Sequence, residues 1–172
     1  KNYNFIDYMW TNDLATEIIW MVGYTVTSYG GALGQVFLNF NNDYVNLYPD
    51  YVPSEWVLGL YASNDARYNA YFTNLQTGYA HGLSWPLLTK YFGNEKFIAD
   101  IIYHVSQPKP LRLAEQYLIR AEAYCRKDQY SLASADIMNL RKARYTSGAS
   151  ASLNKENWLQ TISEERVKEL YM

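Results

Sequence analysis

Thiol chemistry is nearly absent from this chain: Cys125 stands alone among 172 residues, so no disulfide can close within it. Cys125 sits in a helical pattern after Ala121, where it reads as a small buried apolar residue rather than a reactive thiol. Long apolar runs are missing too, and none reaches the roughly 18 residues of a membrane-crossing helix. Positive charge is scarce in residues 1–80, where Lys1 and Arg67 face seven carboxylates for a balance of −5. The whole chain carries −2 and has no basic run interleaved with aromatics, which argues against nucleic acid as a partner.

Catalytic motifs are equally thin. Gly30-Gly31-Ala32-Leu33-Gly34 lacks the Lys and the strong following helix of a phosphate loop, and no Gly-x-Ser-x-Gly elbow occurs. His81 and His104 stand apart from each other and from the cysteine, without metal-ligand spacing. These absences are modest evidence against an enzyme, and the residues call for no metal and no cofactor. Neither end resembles a finished terminus: Lys1 opens without a charged-then-apolar leader, and Glu169-Leu170-Tyr171-Met172 stops inside a helical pattern. A piece of a larger protein is expected.

Aromatic residues are what the chain has in plenty. Residues 1–80 hold eleven Tyr, three Trp and four Phe, whereas residues 81–172 carry +3 and the helical patterns. Glu17 to Val26 alternates with period 2 and predicts a strand with Ile18, Trp20, Val22, Tyr24 and Val26 on one face, Trp20 in the core. Ser28-Tyr29-Gly30-Gly31 reads as a turn, and residues 39–53 as irregular. Pro53-Ser54-Glu55-Trp56 predicts the opening of a short helix. Alternation from Phe97 to Val105 predicts a second strand, ending before Pro110, which suits the first turn of the next helix. Ser147-Gly148-Ala149-Ser150 breaks the helical pattern, Asn154 is a candidate N-cap, and Glu164 with Lys168 predicts an exposed i,i+4 pair.

Residues 112–144 read RLAEQYLIRAEAYCRKDQYSLASADIMNLRKAR. Counted from residue 113, Ala121, Tyr124, Ala133, Ile137 and Leu140 fall at 8, 11, 20, 24 and 27. Those are the small and large slots of a tetratricopeptide (TPR) helical hairpin. Small residues let two helices approach closely, and Tyr124, Ile137 and Leu140 fill the groove. One such hairpin cannot bury its own face, so it expects neighbours.

The hairpin contains Arg112-Leu113-Ala114-Glu115 with Leu118, Ala121-Glu122-Ala123-Tyr124 and Asn139-Leu140-Arg141. Downstream, Ile162 to Leu170 includes Glu165-Arg166 and Glu169-Leu170; upstream lie Glu17-Ile18-Ile19-Trp20 and Asn64-Asp65-Ala66-Arg67. In this order, over about 155 residues, the segments resemble the SusD/RagB family, surface lipoproteins that Bacteroidota pair with a TonB-dependent outer-membrane transporter. Two departures stand out. Arg141-Lys142-Ala143-Arg144 carries the second Arg one position late, which bears on one salt bridge and not on the fold. The chain also ends before the family's E-G-x-R-x-x-D-L segment.

The resemblance implies a mainly α fold, with TPR-like helical hairpin packing and an irregular, loop-rich segment containing short β-strands. Residues 1–110 are then the aromatic ligand-face segment, 111–146 the hairpin and 147–172 a truncated C-terminal helix, all within one larger SusD-like domain. It further implies surface capture of a nutrient glycan, delivery to a SusC-like transporter, and an outer-membrane lipid anchor carried on a part this chain lacks. Peptide cargo is the alternative in the same kind of complex. Glu115, Glu122, Arg112 and Arg120 read as structural ion pairs, because two helical turns hold the carboxylates roughly 10 Å apart.

Tyr29, Tyr44, Tyr48, Tyr51 and Trp85 lie in polar, Gly/Asn/Pro-punctuated segments, where no core needs them. They are the candidate ligand contacts: ring faces pack on sugar C–H groups while nearby Asn and Asp bond hydroxyls. The acidic aromatic half suits a neutral or weakly basic ligand. Two rival readings remain open. A glycoside-active enzyme would use Asp43, Asp50 or Glu55, and a peptide-binding TPR adaptor would need several repeats with a cationic groove.

Overall fold

The computed structural model describes residues 7–40, 46–79 and 82–171. A π-helical turn at Asp7–Thr11 leads into β1 (Ile18–Trp20) and α1 (Leu33–Leu38). Next come α2 (Glu55–Gly59), α3 (Ala66–Tyr71), β2 (Phe72–Gln76), β3 (Ser84–Leu88) and α4 (Glu95–Ile98). The chain closes with β4 (Leu111–Arg112), α5 (Leu113–Cys125), α6 (Tyr130–Arg144) and α7 (Trp158–Leu170). The fold is mainly α with short strands, as the sequence predicts.

The hairpin forms as its register requires. α5 and α6 are joined by a tight turn in which Asp128 adopts φ 57°, a left-handed conformation that Asp tolerates. Ala121 and Ala133 are fully buried, and Leu118, Ile137, Leu140 and Cys125 pack around them. α7 lies against α5 and adds Ile162, while Leu153 enters the same core from the connecting segment. Arg120 of α5 reaches Asp136 of α6 at 2.7 Å and clamps the pair on its outer side. Ala133→Leu forces a four-carbon side chain into this crossing, and overpacking of that kind costs about 1–3 kcal/mol. The expected outcome is a lower melting temperature for the intact protein; an unchanged melt would refute the hairpin register.

A second core gathers the aromatic half: Met9, Trp10, Phe37, Val57, Tyr61, Tyr71, Phe72, Leu88 and Tyr91. β2 and β3 form an antiparallel hairpin running from Phe72↔Leu88 to Gln76↔Ser84. β1 and β4 form a two-stranded pair, continued at its ends by Leu113 N–H donating to Glu17 C=O and Val22 N–H to Pro108 C=O. Side-chain caps start the short helices: Ser54 accepts from Val57 N–H, Asp65 from Arg67 N–H and Asn94 from Lys96 N–H. The helix expected after Pro53 is therefore present.

Several local expectations change. The strand expected over 17–26 is regular only at Ile18–Trp20, because its partner β4 is two residues long. Trp20 is 53% exposed rather than in the core, since nothing among the described residues covers that face. The segment 97–105 is no strand: Asn94 caps α4 there, and Ile101 turns at φ 62° with its side chain outward, while Phe97 and Val105 are buried. Lys168 is buried and bonds Glu165, so the expected Glu164–Lys168 pair does not form; Glu164 accepts from Gln160 instead. Asn154 does cap, but it caps the turn before α7, accepting from the N–H groups of Glu156 and Asn157. Pro110 likewise precedes β4, not the first helical turn.

Candidate functional site

The β2–β3 hairpin holds an irregular segment against its tip. Gly78 N–H donates to Leu47 C=O at 2.8 Å, Tyr79 Oη to Pro49 C=O at 2.9 Å, and Trp85 Nε1 to Pro53 C=O at 2.8 Å. Three bonds along residues 47–53 pin a segment that has no regular structure of its own. Tyr48 lies directly on Gly78, where a Cβ would meet the ring at 2.4 Å, so glycine is what admits the ring. Tyr48 and Tyr79 meet edge to face with centroids 5.5 Å apart. Tyr51 and Trp56, 61% and 62% exposed, stand on either side of Pro53, whose C=O the Trp85 bond anchors. Tyr48, Tyr51, Trp56 and Tyr79 are thus exposed rings on and around a braced loop, with Asp50 and Glu55 exposed in the same stretch.

The five ring positions read from sequence separate into different situations. Tyr48 and Tyr51 are in this set. Tyr29 belongs to another group: it meets His104 edge-on at 6.5 Å, and His104 in turn packs on Phe40 at 5.7 Å. Burial lowers the pKa of His104. Trp85 is half-buried in β3 against Leu38, Phe40 and Leu87, so its ring braces the loop with its N–H already spent. Tyr44 lies outside the described residues, as do His81 and Asp43. Trp56 and Tyr79 were not singled out in the sequence. A Trp in the first turn of a helix that buries only Val57, and a Tyr following Gly78 at a turn, were the available signals.

The charged motif residues come together elsewhere, in a buried ion cluster that joins the two cores. Arg67 bonds Asp65 at 2.7 Å, Glu165 at 2.7 Å and Glu169 at 3.1 Å. Arg144 bonds Glu169 at 2.9 Å and Glu17 at 2.7 Å; Arg141 and Lys168 complete Glu165 at 2.7 and 3.2 Å. The late position of Arg144 therefore still yields its salt bridges. Burial alone would raise the pKa of Glu169, but Arg144, Arg67 and Arg112 more than offset it and hold the group down at about 2. Glu165 is lowered too, burial again being outweighed by Arg67, Lys168 and Arg141. Glu115 and Glu122 share Arg166 at 3.5 and 3.1 Å, and Glu122 also holds Arg126 at 2.6 Å; these pairs are half-exposed and structural. Carboxylates saturated by arginine are poor general acids or bases at neutral pH.

The family model for SusD matches residues 63–172. The chain belongs to the SusD family. Two solved structures share the fold. One is the surface glycan-binding protein A from Bacteroides uniformis, with TM-score 0.64 and 16% identity over 98% of this chain and 39% of that one. The other is a SusD-like carbohydrate-binding protein from Bacteroides vulgatus ATCC 8482, with TM-score 0.68 and 20% identity over 94% of this chain and 33% of that one. No curated protein sequence matches the chain. The chain thus spans between a third and two fifths of the length of these two structures.

The charged and aromatic sets occupy different parts of the chain. The matched region opens just before Asp65 and Arg67 and includes Arg141, Arg144, Glu165 and Glu169, so the ion cluster lies almost wholly inside it. The loop carrying Tyr48 and Tyr51, with Trp56 just after it on α2, precedes that region, and the loop is held to it through the β2–β3 hairpin. A rigid scaffold presenting a braced loop is the usual layout of a binding site.

Proposed function

We propose that this chain contributes the ligand face of a SusD-family surface protein that captures nutrient glycans and passes them to a TonB-dependent outer-membrane transporter. The longer protein would be anchored in the outer membrane by a lipid on a part outside this chain. The observation that carries the reading is the set of exposed rings on and around the braced loop, Tyr48 and Tyr79 in contact, with Tyr51 and Trp56. Ring faces of this kind stack on sugar C–H surfaces, and neighbouring amides and carboxylates take the hydroxyls. Tyr29 and Tyr44 stay in the proposed contact set. Trp85 acts by holding the loop. The names of the two solved relatives, both given for binding glycan or carbohydrate, support the same reading. The protein binds and releases; it makes and breaks no bonds.

Alanine substitution tests the face. Truncating a true aromatic contact costs about 2 kcal/mol, roughly thirtyfold in affinity, with the melt unchanged. Tyr51→Ala and Trp56→Ala are expected to behave so in calorimetric titration of the full-length protein with a panel of neutral polysaccharides. Trp85→Ala is expected to lower the melt as well. If Tyr29, Tyr44, Tyr48, Tyr51, Trp56 and Tyr79 all bind like wild type after substitution, the glycan site is elsewhere in the longer protein.

A further inference from the structure

Exposed Lys and Arg are absent from a long stretch of this chain. From Ile18 to Thr89 the only such residue is Arg67. It is fully buried, and its charge is spent on Asp65, Glu165 and Glu169. The same stretch supplies Tyr29, Tyr48, Tyr51, Trp56 and Tyr79, the exposed rings of the proposed ligand face.

The carboxylates of the stretch are not spent in the same way. Asp65 is buried and bonded to Arg67. Asp50 and Glu55 are exposed, and among the described residues neither side chain has an ion-pair or hydrogen-bond partner. Each stands immediately before an exposed ring: Asp50 before Tyr51, Glu55 before Trp56. Consecutive Cα atoms are about 3.8 Å apart, so carboxylate and ring stay close whatever their rotamers. At about 10 mM salt the Debye length is roughly 30 Å, well beyond any such separation. The ring faces therefore sit in a negative field that no exposed Lys or Arg of the stretch offsets.

Helix chemistry accounts for little of this. Glu55 in the first turn of α2 complements that helix's dipole, but α2 is only five residues long. Asp50 precedes α2 in irregular chain and has no such task. For a neutral sugar a carboxylate is one acceptor among many. For an ammonium group it is also the counter-charge, and a Tyr or Trp face adds cation–π attraction.

We propose that this ring set selects glycans that carry free amines, with Asp50 and Glu55 as the residues that set the preference. Ring faces take sugar C–H groups and ammonium alike, while the two carboxylates supply the opposite charge. The inference rests on the glycan reading of this face and narrows its substrate class.

Two probes test it: a glucosamine hexasaccharide and cellohexaose, which differ by an amine for a hydroxyl on each sugar. Calorimetric titration of the full-length protein is run in a mildly acidic buffer that keeps the amines charged. At about 10 mM salt the glucosamine probe is expected to bind about fivefold or more tighter than cellohexaose, with the margin shrinking at about 150 mM. In the double variant Asp50→Asn, Glu55→Gln the ratio is expected to fall to about one, with the melt unchanged because both side chains are exposed. Equal binding of the two probes to wild type overturns the inference, as does a margin that survives in the double variant or a glucosamine probe that does not bind. Tyr51→Ala and Trp56→Ala separate this failure from that of the face itself. If they weaken both probes while the ratio stays near one, the glycan face stands and the amine preference falls. If they weaken neither, the face falls and the preference with it.

Discussion

Arg67→Met is expected to destabilise the fold by about 3–5 kcal/mol, the typical cost of removing one partner from a buried ion cluster. Arg67 is fully buried and is the only cation within salt-bridge distance of Asp65 among the described residues. Methionine keeps much of the volume but leaves Asp65 charged in a dry site. Glu165 still has Arg141 and Lys168, and Glu169 still has Arg144, so the loss falls mainly on Asp65 and the start of α3. Urea unfolding of the full-length protein measures it. A loss below about 1 kcal/mol would mean that the cluster holds less of the structure than its burial indicates.

The same cluster sets the response to acid. Glu169 keeps its proton off down to about 2 when folded, against 4.5 for the ordinary side chain, so the unfolded chain binds the extra proton between these values. Its contribution is complete above pH 4.5 and is lost as pH falls toward 2. A depression of that size corresponds to roughly 3 kcal/mol. Glu165 is shifted in the same direction and adds to the slope. Urea midpoints across that acid range should fall steeply in wild type and less steeply in Glu169→Gln, which starts lower at neutral pH. Parallel profiles for the two proteins would show that Glu169 is not the group being titrated.

Much of the helical half could be read along the chain because its signals are local. Ala121 and Ala133 sit at the helix crossing that the TPR register requires, and Ser54 caps the helix expected after Pro53. Local pattern failed where distant packing decided. Lys168 has the spacing of an exposed partner for Glu164, yet Glu165, the Tyr145 hydroxyl and their surroundings draw it inward. The alternation of 97–105 imitates a strand, but a capped helical turn followed by a left-handed residue buries the same Phe97 and Val105. For the ligand face, Tyr48 and Tyr51 were visible as aromatics without a core to fill. Trp85 looks the same in sequence, and only the structure shows its indole N–H bonded to Pro53 C=O. Trp56 and Tyr79 went unnoticed because exposure is not encoded in neighbouring residues.

By itself the sequence determined the helical hairpin, the start of α2 at Ser54, the lack of a catalytic motif and the ordered charged motifs that mark the family. These follow from spacing, and spacing on a helix fixes which residues share a face. Tertiary structure decided which of those charges meet. Glu17, Asp65, Arg67, Arg144, Glu165 and Glu169 converge from three helices, α3 with its cap, α6 and α7, and from the chain just before β1, with Arg67 and Glu165 98 residues apart. It decided as well which aromatics face outward. Those outcomes depend on which distant surfaces exclude water from one another, and burial of that kind is a property of the assembled fold rather than of any segment in it.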